Sequence, residues 1–142
     1  MLQNLDCSNT KVTVVGPLAA CSLLQDLKCS NTGLVELDPL AACPLLQRLE
    51  CCYPGVAELG PLAACPFLQT LKCSGTQVSE LDPLAACSLL QTLDCSCTCV
   101  AELGPLAACT ALVSLCCPRS VTQAQVQLLQ EACRNLEKVH QN

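Results

Sequence analysis

Leu24-Gln25-Asp26-Leu27-Lys28-Cys29-Ser30-Asn31-Thr32-Gly33-Leu34-Val35-Glu36-Leu37-Asp38-Pro39-Leu40-Ala41-Ala42-Cys43-Pro44-Leu45 is one unit of a pattern that returns every 22 residues. Its most constant part, Pro-Leu-Ala-Ala-Cys, occurs five times, beginning at Pro17, Pro39, Pro61, Pro83 and Pro105. Counted from their leading leucines, the units start at Leu2, Leu24, Leu46, Leu68, Leu90 and Leu112. A fixed period of this length is the signature of a stacked repeat architecture. Each position in the unit has a local reading. Leu27 and Cys29 alternate to one side, as strand residues do. Ser30, Asn31 and Thr32 are turn formers whose short polar side chains close local hydrogen bonds. Leu34 and Leu37 point inward again. Asp38 is expected to cap a short helical turn, with Pro39 at its first position, where a missing N–H costs nothing. Leu40 and Cys43 face inward from that turn.

A single unit cannot bury its own apolar face, whereas stacked copies can. The composition agrees with stacking. Among 142 residues there is no Trp, one Tyr and one Phe. Aromatic rings fill space where elements meet at odd angles, and identical small residues stacked in register leave no such space. Each inward leucine contributes ~1.5–3 kcal/mol of burial.

The L-x-x-L strand, the inward residue two positions on, and segments such as Glu36-Leu37-Asp38-Pro39-Leu40 together resemble the 22-residue class of the leucine-rich-repeat family. That class occurs in bacterial internalins and in a protein-phosphatase regulatory subunit. The Cys-Ser-x-Thr and Ala-Ala-Cys variants resemble repeats of trypanosomatid parasite proteins. The resemblance implies an α/β fold: a right-handed leucine-rich-repeat solenoid with parallel strands on the concave face and short helical turns on the convex face. The chain departs from the family in two places. The family's Asn ladder is replaced by Thr10, Thr32, Pro54, Thr76, Thr98 and Ser120, and several of its leucines are replaced by Cys.

Five 22-residue repeats therefore occupy 1–111, and 112–142 reads as a C-terminal capping repeat. Thr122 with Gln125 predicts a capping box, and Val121 with Val126 a hydrophobic staple, at the start of an α-helix near 123–133. Val126, Leu129 and Cys133 share its inner face, with Leu128 and Ala132 beside them. A partial last strand is expected around Leu136 and Val139. At the other end the pattern begins inside a repeat at Leu2, with no polar cap ahead of it. The expectation is a piece of a larger protein, or a first strand whose edge pairs with another chain.

The cysteines number 16. Such density in a short secreted chain suggests a disulfide scaffold. Here the spacing argues otherwise. Cys7, Cys29, Cys51, Cys73, Cys95 and Cys117 form one ladder; Cys21, Cys43, Cys65, Cys87, Cys109 and Cys133 form another. Free Cys is a small, readily buried hydrophobe, and parallel side chains on neighbouring rungs do not aim at one another. Reduced core thiols, and so a reducing compartment, are expected. Cys52, Cys97, Cys99 and Cys116 lie off the ladders. The one dense cluster, Cys95, Cys97 and Cys99, lacks a fourth ligand for a tetrahedral metal site, and the one histidine, His140, lies two repeats further along the stack. No metal, no cofactor and no enzyme activity are expected.

Composition limits the partners. A net charge of −5 is opposite to the basic footprint of a nucleic-acid binder. No apolar run approaches the ~18 residues of a membrane helix. No secretory leader pattern is read at the start, and a cytoplasmic location is the expectation.

Inward positions hardly vary between repeats, whereas three outward positions do. The third reads Asn4, Asp26, Arg48, Thr70, Thr92, Ser114; the fifth reads Asp6, Lys28, Glu50, Lys72, Asp94, Cys116; the eighth reads Asn9, Asn31, Tyr53, Gly75, Cys97, Arg119. All three are expected on the concave face. The function expected is a non-enzymatic protein-interaction module, with Arg48 and Tyr53 as anchors. Asp26, Lys28, Glu50, Lys72 and Asp94 are the further partner-binding candidates, the fifth-position charges also pairing along the sheet. The alternatives are a structural or assembly element that self-associates through its first repeat, and a surface adhesin of internalin type. Glu36, Glu58, Glu80 and Glu102 form a like-charged row that belongs at a solvated edge.

Overall fold

The structure, a computed structural model, describes residues 1–53 and 55–142. Seven parallel strands form one sheet in chain order: β1 (Asn4–Asp6), β2 (Asp26–Lys28), β3 (Arg48–Glu50), β4 (Thr70–Lys72), β5 (Thr92–Asp94), β6 (Ser114–Cys117) and β7 (Lys138–Gln141). Five 3-10 turns lie opposite the sheet, at Gly16–Ala20, Asp38–Ala42, Gly60–Ala64, Asp82–Ala86 and Gly104–Ala108. The register of β1 to β6 is one period of the sequence: Leu5 pairs with Leu27, Leu27 with Leu49, Leu49 with Leu71, Leu71 with Leu93 and Leu93 with Leu115. The last pairing, Leu115 with Val139, absorbs the two residues added by the helix.

The core is a column of ladders. Leu27, Leu49, Leu71, Leu93 and Leu115 are fully buried, as are Cys29, Cys51, Cys73, Cys95 and Cys117 behind the strands. The turns supply Leu40, Leu62, Leu84 and Leu106 with Cys43, Cys65, Cys87 and Cys109. In the first repeat the ladders are open: Leu5, Cys7 and Cys21 are only partly buried, and Leu2 is 40% exposed.

The two thiol ladders point opposite ways along the stack. Cys7 donates to the Lys28 carbonyl and Cys29 to the Glu50 carbonyl, both at 3.5 Å, each toward the following repeat. Cys43 donates back to Leu18 at 3.4 Å and Cys109 back to Leu84 at 3.2 Å. These sulfurs are thus held by backbone oxygens, and none of the 16 cysteines is joined to another.

Two local expectations are corrected. Asp38 does not cap its turn. Leu37 holds the boundary position, no side chain makes a cap hydrogen bond, and Asp38 is the turn's first residue. Gly16, Gly60 and Gly104 take the same place in other repeats, so a carboxylate is not needed there. What closes the turn is a run of backbone bonds, Leu40 N–H to Leu37 and Cys43 N–H to Leu40. The second correction concerns Leu128, which is 65% exposed rather than packed beside the helix's inner face.

The helix α1 spans Gln123–Ala132. Its capping box is complete: Thr122 accepts from the Gln125 N–H at 3.3 Å, and the Gln125 amide accepts from the Thr122 N–H at 3.2 Å. Val121, Val126 and Leu129 are buried below it.

The bend after each strand shows how Thr replaces Asn. Thr10, Thr32, Thr76 and Thr98 each donate to the carbonyl three residues earlier, at 2.6–2.8 Å. Three of the hydroxyls also accept an N–H two residues on, at 3.4 Å. Ser120 instead crosses to the Val100 carbonyl, 2.7 Å away. The third-repeat equivalent, Pro54, lies outside the described residues.

Truncating Leu71 at the centre of its ladder leaves a cavity that both neighbouring repeats must close around. We expect Leu71→Ala to reduce unfolding free energy by about 2–5 kcal/mol. Lys28→Ala, on the sheet surface, is expected to stay within about 0.5 kcal/mol. Urea titration followed by circular dichroism measures both; equal midpoints for the two variants would overturn the stacked core.

Candidate functional site

The strands place two rows of side chains on the open face of the sheet, one on either side of the inward leucines. The third-position row runs Asn4, Asp26, Arg48, Thr70, Thr92, Ser114, Lys138; the fifth-position row runs Asp6, Lys28, Glu50, Lys72, Asp94, Cys116, His140. Neighbours in a row are one strand apart, roughly 4.8 Å.

Much of the charge in these rows is internally matched. Arg48 Nη1 lies 2.8 Å from Asp26 Oδ2, and Lys72 Nζ lies 3.3 Å from Glu50 Oε1. Each pair is partly exposed, so it contributes about 0–1 kcal/mol. Asp6 is held below the usual carboxylate range chiefly by the Ser8 backbone N–H, 3.0 Å away, then by the Ser8 hydroxyl, with Lys28 adding a smaller share. Asp94 is engaged by Ser96, through its hydroxyl at 2.6 Å and its N–H at 3.0 Å. Lys28 forms no ion pair among the described residues.

The expected eighth-position row sits elsewhere. It occupies the bend beyond the strands, where Asn9, Asn31, Tyr53, Gly75 and Cys97 all have φ between 54° and 72°. Left-handed backbone suits Gly and Asn and costs other residues. Asn31 Nδ2 and Asn9 Oδ1 join at 3.0 Å, so two rungs of an amide ladder form here. Tyr53 is 66% exposed, and its ring lies over Gly75, where an added Cβ would come within 2.6 Å of Cδ1. Tyr53 therefore belongs to the edge of the sheet face rather than to its floor. Arg119, in the sixth repeat, has no such conformation.

A row that sequence reasoning passed over also lines the face. Gln3, Gln25, Gln47, Gln69 and Gln91 precede the strands at the same period. Gln25, Gln47 and Gln69 line a polar cleft of about 170 Å³ with Asn4, Asp26, Arg48 and Thr70. Gln at this position in five consecutive repeats, before Val113 in the sixth, was a readable signal of a shared polar row.

Glu36, Glu58, Glu80 and Glu102 are all exposed, and Glu102 accepts from the Gln125 side-chain amide at 2.9 Å. Among the described residues, no three His, Cys, Asp or Glu side chains gather closely enough to hold a metal ion. Cys97 and Cys99 are exposed, and Cys116 is partly buried between Asp94 and His140 on the sheet.

No protein-family model matches the sequence, and no curated protein sequence matches it either. Solved structures do. An internalin of Listeria monocytogenes, InlF, superposes with a TM-score of 0.87 at 17% identity, over 99% of this chain and 43% of its own. Internalin C2 of the same bacterium gives 0.81 at 21% identity, over 99% of this chain and 71% of its own. This is the leucine-rich-repeat fold. A domain of Listeria InlJ described as including a cysteine ladder gives 0.81 at 24% identity, over 99% of this chain and 30% of that one. The chain thus spans less than half the length of InlF, and internalin-type repeats carry the same arrangement of strands and turns.

Burial sorts the thiols of this solenoid by reactivity. It pushes Cys29 and Cys109 up to about 12 and Cys65 and Cys87 to about 11, and Cys51, Cys73 and Cys95 well above their ordinary range. The thiolate is the nucleophile, so at pH 8 these buried groups are neutral as well as inaccessible. Brief iodoacetamide treatment of the folded chain is expected to alkylate Cys97 and Cys99 first, with Cys51 and Cys73 protected until urea is added. Peptide mass spectrometry reads the order; early labelling of Cys51 would contradict the assigned core.

Proposed function

We propose that this chain is a non-enzymatic protein-interaction module that binds a protein partner across its strand face. The observation that carries the reading is the contrast between rows: inward positions repeat almost unchanged, while the third and fifth positions on the open face change from repeat to repeat. A stacked core holds those side chains in fixed relative places, which lowers the ordering cost of binding. Solenoids use such extended surfaces for recognition. One histidine, with Asp94 already committed to Ser96, leaves little from which to assemble a nucleophile with a base and an orienting group.

The geometry sharpens the choice of anchors. Arg48 and Lys72 are tied to Asp26 and Glu50, so Lys28 and Tyr53 are the side chains free to make new contacts. Arg48, Asp26, Glu50, Lys72 and Asp94 complete the proposed surface as a charge-matched floor. We place the protein in the cytoplasm, because the ladder thiols are packed against backbone oxygens and serve as core residues rather than cross-links. Immobilised protein should recover a partner from source-cell extract. A Lys28→Ala, Tyr53→Ala variant should lose most of it, and a Phe67→Ala, Leu89→Ala variant away from the strand face should retain it. Equal recovery by all three removes the strand face as the binding surface.

A second reading, assembly, rests on the first repeat. Leu2, Leu5 and Cys7 stay open where their equivalents Leu24, Leu27 and Cys29 are sealed, and β1 offers a free edge. A second copy or a further repeat covering it would restore their burial. Light scattering across a hundredfold concentration range tests self-association: a mass rising with concentration supports it, and a constant monomer removes it.

A further inference from the structure

The polar cleft beside Asp26 holds an imbalance. Asp26 carries two carboxylate oxygens, and its ion pair with Arg48 uses only Oδ2, through a single nitrogen at 2.8 Å. Oδ1 is buried and has no hydrogen-bond partner in the protein. A buried charged acceptor left unmatched costs more than a neutral one, because it has lost water without gaining a donor. Asp26 is also the sole acidic residue of the third-position row, whose other members are Asn4, Arg48, Thr70, Thr92, Ser114 and Lys138. The cleft around it is lined by Gln25, Gln47 and Gln69, which recur at the 22-residue period.

The geometry points to a subsite in this cleft for the guanidinium of an arginine presented by the protein partner. The inference rests on the strand face being the binding surface. A guanidinium has five donors in a planar fork and no acceptor. That chemistry matches a carboxylate with one unpartnered oxygen beside a cleft lined by three glutamines. Lysine would bring a point charge without the fork. The cleft, at about 170 Å³, is below the roughly 300–1,000 Å³ of pockets for whole small ligands, and its size suits a single side chain. The Arg48 side chain is 51% exposed, so it is able to turn aside and release the Asp26 carboxylate to an incoming group. Arg48 thus acts as an internal stand-in: its single positive charge balances that of Asp26 in the free protein, and the incoming guanidinium must displace it rather than join it, because the two repel.

The probe is N-acetyl-arginine amide, titrated into the full chain labelled with 15N, against N-acetyl-glutamine amide as the neutral control. Side-chain amide signals of Gln25, Gln47 and Gln69 should shift saturably with the arginine probe and not with the glutamine probe. Asp26→Asn should weaken binding at least tenfold, and Arg48→Gln should tighten it severalfold. Backbone spectra superimposable with wild type show that both variants are folded. Unchanged affinity in Asp26→Asn, weaker binding in Arg48→Gln, or shifts spread along Glu36, Glu58 and Glu80 would each overturn the subsite. This readout is separate from partner recovery. A working titration with no effect of strand-face mutations on the partner would remove the proposed function and leave the site standing.

Discussion

In-register stacking of identical inward side chains is the constraint on which the rest of this molecule depends. Leu27, Leu49, Leu71, Leu93 and Leu115 lie on neighbouring strands in direct register, so every layer presents the next with its own shape. Close packing follows without aromatic rings, because a column of like residues has no odd corners to fill. Cysteine fits this arrangement. It is small enough for the narrow positions behind the strands and turns, and its thiol still finds a carbonyl in the adjacent layer. In the second repeat, for example, Cys29 bonds forward to Glu50 and Cys43 back to Leu18, so the two ladders tie it to both neighbours.

The same constraint explains how the surface differs from the core. A residue facing inward must match its equivalents in the layers on either side. A residue on the open face has only to tolerate them, and tolerance is easily met by alternating charge. Arg48 with Asp26 and Lys72 with Glu50 are the result: pairs one period apart that keep the face near neutral. The strand face therefore combines a backbone held in register, variable side chains and locally cancelled charge. The glutamate row on the solenoid's edge is different in kind, since its members are exposed and like-charged.

The bends show where local chemistry gives way to packing. Asn9 and Asn31 suit left-handed backbone, and Gly75 suits it better still. Tyr53 and Cys97 occupy the same conformation against their own preference, because the strand before and the inward valine after each bend fix the path between them. Tyr53 is accommodated by the neighbouring glycine, whose missing Cβ leaves room for the ring. In four of the bends a compact Thr hydroxyl, bonded back to the carbonyl three residues earlier, closes the turn.

The 22-residue period, read with the alternation of Leu and Cys, was enough to determine the stacked architecture, the strand register, the identity of the core and the capped C-terminal helix. These depend on which residues must leave water, and that is written in their spacing. Tertiary structure decided the rest. It moved Tyr53 off the strand and into the bend, left Asp38 without a capping role, exposed Leu128, and brought Gln25, Gln47, Gln69 and Asp26 around one cleft. Those outcomes depend on φ values and on distances across repeats, and residues 22 apart become neighbours only once the coil has closed on itself.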